Sequence, residues 1–267
     1  MTFSQEFLAK RFSVLGADEM HAIVENAKGF NVTNPPKGIR SNTTIFAIMY
    51  DKGVVIAGDR RTSDGYYGIF SDVSNKVMKL TDFSAMANAG WCNVISFLEN
   101  NMLAICDRFE NIYGRPLSVD GQANYLKNLL TQWWFFFVQT WHWTPGIPIL
   151  AAYDLKLEKP RIFTFDYDGY FVEPPFFAGN GCGIDFVKGL INDRWRKDMP
   201  EDEAINLAVR AMLHSGALSS GVSDARLVLP TVAVINQKGF NWVEKDVLTS
   251  NRDELVKQIG GIQCLLG

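Results

Sequence analysis

Strand-like and helix-like segments come in blocks along this chain instead of alternating, and that order limits the fold more than any other feature. Residues 44–50 are β-rich, Asp51-Lys-Gly53 is a turn, and residues 54–57 form a second apolar strand, which together make a hairpin. Strands are expected again at 76–80 and 84–89, the latter stopping at Gly90. Val94, Leu98, Met102, Ile105 and Phe109 then recur at three- and four-residue spacing, a helix ended by Pro116. A second helix is expected over about 120–137. Strands return at 147–153, 161–166 and 170–173, followed by a helix over about 184–195. Asp198-Met-Pro-Glu201 has the form of a capping box opening a helix to about Leu213. Strands near 231–236 and 241–243 precede a C-terminal helix from about Arg252.

Segregated blocks of this kind predict an α+β fold, with packed antiparallel sheets and helices outside, not a parallel βαβ sheet. Residues 1–42 stand apart. They hold one amphipathic stretch at 15–24 and then drift into Asn31-Val-Thr-Asn-Pro-Pro-Lys-Gly38, rich in turn formers. The expectation is an appendage over 1–42 ending in a flexible linker, with an N-terminal helix docked on the domain as the equal alternative from composition, and one domain over 43–267. The chain is 47% hydrophobic and 21% charged, enough for a core of useful size. A net charge of −3 without a basic run gives no support to nucleic-acid binding. The densest apolar run, 133–138, is far too short to span a bilayer, and residues 1–11 carry polar groups where a signal peptide needs apolar ones. A cytoplasmic protein is expected. Cys92, Cys106, Cys182 and Cys264 are scattered, which favours reduced, mostly buried thiols over a metal site or disulfides. His21, His142 and His214 show no triad arrangement. Core or interface packing is the better reading of the aromatic stretch 133–143. Gly179-Asn-Gly-Cys-Gly183 lacks the lysine and spacing of a phosphate loop.

Taken singly, a Thr-Thr pair, an Asp after a strand and a Lys before one mean little. Their order means more. Thr43-Thr-Ile-Phe-Ala-Ile is followed by Gly53-Val-Val-Ile-Ala-Gly-Asp-Arg-Arg61, Lys76-Val-Met-Lys-Leu and Ala87-Asn-Ala-Gly90. Further on come Pro116-Leu-Ser, Pro148-Ile-Leu-Ala-Ala-Tyr-Asp-Leu, Ala178-Gly-Asn-Gly, Ser219-Ser-Gly and Pro230-Thr-Val. From Thr43 to the C-terminal helix the sequence resembles the β-type subunits of the proteasome, above all those of actinobacterial type.

The resemblance implies a four-layer αββα sandwich, the fold of the N-terminal nucleophile hydrolases. It also implies a precursor that cuts itself after Asn42, a threonine-type endopeptidase with Thr43 as nucleophile, and no cofactor or metal. The freed α-amine of Thr43 would act as its base, since a hydroxyl is a weak nucleophile without one. Lys76 matches the active-site lysine, with Lys79 as the fallback because the segment 65–76 runs one residue long. Asp59 matches the acid that orients the lysine, Gly90 the oxyanion donor, and Arg61 a supporting cation. Ser220 falls in the retained part of an Asp-x-x-Ser-Gly motif. The substrate pocket would use Thr62, Val73, Met78, Asn88 and Cys92, with a preference for apolar or neutral side chains. The implied partners are six further copies in a homo-heptameric β ring, α-type subunits, a ring ATPase and unfolded protein substrates.

Three positions depart from the family pattern. Asn42 stands where glycine is usual, Asn180 where a serine would support the threonine, and Ala217 where the Asp-x-x-Ser-Gly motif has its aspartate. They motivate a second reading, a silent structural β subunit of the same ring. A small-molecule amidase of the same fold is the remote third.

Overall fold

The structure, a computed structural model, describes residues 43–64, 68–140 and 146–263. The stretch 1–42, with Asn42 and the expected appendage, lies outside the described residues, as do His142 and Cys264.

Two five-stranded antiparallel sheets carry the fold. The first has the order β10-β1-β2-β11-β12, built from β1 (Ile45–Tyr50), β2 (Gly53–Gly58), β10 (Phe177–Asn180), β11 (Thr231–Asn236) and β12 (Gly239–Trp242). The second runs β5-β6-β7-β8-β9: β5 (Val77–Thr81), β6 (Ser84–Gly90), β7 (Gly146–Asp154), β8 (Lys159–Phe165) and β9 (Phe171–Val172). A short hairpin of β3 (Thr62–Asp64) and β4 (Gly68–Ser71) stands apart, with a register shift between Thr62 and Ser63.

The period-two alternation of the strands sorts their side chains into three cores. Phe46, Ile48, Val55, Ala57, Val232 and Val234 face α3 (Ile184–Arg194), α4 (Glu201–Leu218) and α5 (Lys245–Gln263). Met86, Leu150, Ala152, Phe163 and Phe165 face α1 (Cys92–Tyr113) and α2 (Val119–Thr140). The other parity, Ile45, Ala47, Val54, Ile56, Ala85, Ala87, Ile149, Ala151 and Ala233, fills the space between the sheets. Every residue of β2 is buried, as a strand covered on both faces must be. The layers are therefore helices, sheet, sheet, helices, and the expected αββα sandwich is what the chain forms.

Local boundaries differ from the sequence reading in several places. The strands β3, β4 and β10 were not expected. All are four residues or fewer, and β10 contains Gly179, so only pairing with distant partners reveals them. The capping box does not form: Pro200 occupies the N-cap of α4, without a side-chain cap bond, and Glu201 starts the helix. Proline pre-sets a φ suited to helix entry, and three acidic side chains in the first turn complement the dipole. Finally, α4 continues to Leu218 and α5 starts at Lys245. Among the described residues no helix is long and apolar enough to cross a membrane.

Candidate active site

The β1–β2 hairpin brings the first two site residues together. Ile45 pairs with Gly58, so the residues just beyond, Thr44 and Asp59, face each other. Asp59 N–H donates to the Thr44 carbonyl at 3.0 Å, and Thr44 N–H donates to Asp59 Oδ1 at 2.8 Å. Thr43, 5% exposed, is held at the same corner. Lys76 enters from the residue before β5. Its Nζ donates to Asp59 Oδ1 at 2.6 Å and to Thr43 Oγ1 at 3.0 Å. Gly58 leaves little room beside it, since a Cβ there would lie 3.2 Å from Lys76 Cβ.

Asp59 is the hub of this corner. Besides Lys76 and Thr44, it accepts from Arg61 N–H at 2.9 Å and from Ser223 N–H at 3.2 Å, both on Oδ2. Charge-assisted bonds of this kind hold geometry well. Burial pushes the Lys76 ammonium below its usual range, and Asp59 pulls in the opposite direction without restoring it. A lysine in that state exchanges a proton near neutral pH more readily than a solvated one.

The glycine-rich run 179–183 packs against the back of Thr43. Gly181 has φ +101°, and a Cβ on it would stand 2.1 Å from the Thr43 carbonyl oxygen. Gly183 N–H donates to that oxygen at 3.3 Å. A Cβ on Gly183 would meet both Ser215 Oγ and Thr44 Oγ1. Those two hydroxyls bond each other at 2.6 Å. On the other side, Gly90 closes β6 at φ +136°, a conformation side chains rarely adopt. Asn88 N–H donates to the Lys76 carbonyl at 3.0 Å, which fixes the end of β6 beside the lysine.

The remaining expected site residues divide. Arg61 contributes its backbone N–H to Asp59, while its guanidinium pairs with Asp72 at 2.7 Å and donates to the Ser220 carbonyl at 3.0 Å. Ser220 reaches the site through that carbonyl alone; no bond of its hydroxyl is seen among the described residues. Lys79 is not in the site. It pairs with Asp82 at 2.6 Å on the surface, and the register shift between Thr62 and Ser63 skips Phe70 on the opposite strand, inside the stretch suspected of running long. Ala217 lies exposed in the last turn of α4. The Asn180 amide points to the Ile147 carbonyl and Thr164 hydroxyl, at 3.5 and 3.4 Å.

Of the pocket residues, Met78 packs on the α1–α2 core, and Thr62 donates to Ser74 Oγ at 2.7 Å. Val73 is 71% exposed, and Cys92, the first residue of α1, is exposed too. Asn88 is buried, donates from Nδ2 to Glu99 Oε1 at 3.0 Å, and leaves its Oδ1 without a partner. Of the three described cysteines only Cys106 is buried, with its thiol pushed up to about 12 chiefly by burial; Cys182 is half-buried, which corrects the expectation of mostly buried thiols.

Sequence reasoning missed Ser215, Ser223, Thr44 and the glycines 181 and 183. The glycine run was the available signal. Glycines so close together mark a place where backbone or side chains approach too closely for a Cβ.

The sandwich with this polar corner at one end of the sheet is the fold of the N-terminal nucleophile hydrolases. A family model described as proteasome subunit matches residues 39–225, so the chain belongs to the proteasome family, as a β-type subunit. It is 30% identical over 261 residues to a proteasome subunit beta of Jonesia denitrificans, covering 96% of this chain and 85% of the relative. Similar proteins of the same name occur in Streptomyces griseus (31% identity; 74% of this chain, 70% of the relative) and Frankia alni (30%; 82% and 79%).

Proposed function

We propose that this chain is a threonine-type endopeptidase subunit of a proteasome core, released from a precursor by cleavage after Asn42. The observation that carries the reading is the Thr43 hydroxyl 3.0 Å from the Lys76 ammonium, which Asp59 holds at 2.6 Å. In self-cleavage Thr43 Oγ attacks the Asn42 carbonyl, the peptide bond becomes an ester, and water hydrolyses it. The product has 267 − 42 = 225 residues and a free α-amine on Thr43. In turnover that amine takes the hydroxyl proton as Oγ attacks the substrate carbonyl, then delivers it to the leaving amine. Water cleaves the resulting ester and restores the threonine. Lys76, made less basic than usual by burial, keeps a positive charge beside the developing alkoxide, and the Gly90 N–H serves the oxyanion.

The subunit works in homo-heptameric β rings flanked by α-type rings, in the cytoplasm, on unfolded protein delivered by a ring ATPase. The family and its β-subunit relatives support this assembly. A second reading, a silent ring-building subunit, draws on exposed Ala217 and on Asn180 turned towards Ile147 and Thr164. Intact mass after assembly with α-type subunits separates the two. The peptidase reading expects loss of residues 1–42 and fluorogenic-peptide hydrolysis, both abolished by Thr43→Ala. Retention of the leader by the wild-type chain, without hydrolysis, leaves only the structural role.

A further inference from the structure

Asn88 and Glu99 form a pair that the chemistry above does not use. In the β5–β6 ladder Val77 faces Ala87, so Lys76 faces Asn88 one step further on. Val77, Ala87 and Ala89 fill the space between the sheets, whereas Met78 and Met86 lie on the α1 side. By strand parity Asn88 starts on that α1 side as well, whereas Lys76, just ahead of β5, turns its Cβ to Gly58 and its Nζ to Thr43 and Asp59. Beyond Asn88, β6 ends at Gly90 and α1 starts at Cys92. Glu99, two turns into α1, meets the Asn88 amide at 3.0 Å. The pair therefore lies next to Lys76, whose carbonyl accepts from Asn88 N–H at 3.0 Å and whose Nζ reaches Thr43.

The pair offers acceptors. Asn88 Oδ1 is buried without a partner, and Glu99 has no ion pair among the described residues. Burial raises the Glu99 carboxyl above its usual range, and the bond from Asn88 offsets this only in part. The Lys76 charge is matched by Asp59 at 2.6 Å, and among the described residues no cation is paired with the Glu99 carboxylate. If the pair only tied α1 to the sheet, a glutamine at 99 would accept from Asn88 equally well without a desolvated charge. A desolvated carboxylate beside an unpaired carbonyl oxygen is complementary to a group that brings donors and positive charge.

Given the peptidase reading above, on which this rests, we propose that Glu99 is a specificity-determining residue of the pocket beside Thr43. It selects substrates whose residue before the cleaved bond is arginine or lysine. This reverses the apolar or neutral preference expected from the pocket's residue types.

The test is hydrolysis, by the assembled particle with its α-type partners, of peptides that differ only before the fluorophore: arginine, lysine, glutamine, leucine or phenylalanine. Arginine and lysine should exceed leucine and phenylalanine in kcat/KM. In Glu99→Gln, which keeps an acceptor for Asn88, the arginine-to-leucine ratio should fall about tenfold or more, the size of one charge-assisted bond. A wild-type preference for leucine or phenylalanine overturns the assignment and leaves the peptidase reading standing. So does a ratio that Glu99→Gln does not move. No hydrolysis of any peptide, with residues 1–42 retained, overturns the peptidase reading and the assignment with it. Should Glu99→Gln fail to assemble, the wild-type order of the five peptides decides alone.

Discussion

Asp59 and Ala217 mark opposite kinds of support for the same threonine. Asp59 follows a strand buried on both faces, is 1% exposed, and has its oxygens filled by Lys76 and three backbone N–H groups. Ala217 lies exposed at the end of a helix, next to Leu218 at 60% exposure, where the family motif has a carboxylate. One corner is over-determined and the other is bare. Where the motif's aspartate is missing, serines elsewhere are in contact with the corner. Ser223 N–H holds Asp59, and Ser215 Oγ holds Thr44 and reaches the Gly183 carbonyl at 3.3 Å. Support for Thr43 lies in the sheet edge and the glycine run.

Breaking the determined corner should have the largest effect. In Asp59→Asn one acceptor oxygen becomes a donor facing N–H groups, and Lys76 loses its counter-charge. Removing one partner of a buried pair costs about 3–5 kcal/mol, so the melting temperature should fall clearly. Peptide hydrolysis should fall by about a thousandfold or more, because lysine and threonine lose their orientation together. Stability and activity within a few-fold of wild type would mean that Asp59 is not the hub.

The glycine run comes next. Gly181→Ala puts a Cβ 2.1 Å from the Thr43 carbonyl oxygen and 2.7 Å from its carbonyl carbon, at a φ of +101°. Neither contact is with a side chain that can swing away, so Thr43 itself must move. A displacement of about 1 Å costs about a hundredfold in rate. Hydrolysis by the assembled Gly181→Ala particle measures it, and a loss smaller than threefold would show that the run is a passive wall.

The contrast also explains what could be read from the sequence. The hairpin, the helices and the two blocks of strands were legible because alternation and three-to-four spacing survive in long apolar segments such as β2 and α1. Thr43, Asp59 and Lys76 were legible because they sit at strand ends, where register fixes them and a resemblance can be carried over residue by residue. Strand β10 was hidden: four residues with a central glycine have no pattern, and pairing with β1, 129 to 135 positions away, gives them their shape. Ser215 and Ser223 were hidden for a different reason. Ser215 lies in the last turn of α4, past Leu213 where the sequence reading ends that helix, and Ser223 acts at Asp59 through its backbone N–H, which no side-chain motif encodes. Asp198 was misread because a capping box is four residues of sequence, while the helix start was decided by Pro200.

Restoring the motif at the bare corner should do least. In Ala217→Asp a carboxylate returns to its motif position, but the side chain there faces solvent beyond the end of the α4 packing against the first sheet. A charge-assisted bond to the nucleophile's surroundings would be worth about 1.5–3 kcal/mol, or about 10- to 150-fold in rate if wholly expressed in the transition state. An exposed carboxylate, screened by water and salt, delivers a small part of that. The expected gain in kcat/KM is therefore below about threefold, with the salt dependence of hydrolysis as a second readout. A gain of tenfold or more would show that the loop after α4 closes onto Thr43 during turnover, and that the bare corner limits the enzyme. In that case Ser220, brought in by the same movement, would offer its hydroxyl instead of the carbonyl that now accepts from Arg61. Ser220→Ala would then cost activity in the Ala217→Asp background and little in the wild type, a non-additivity that a double-mutant cycle reads directly.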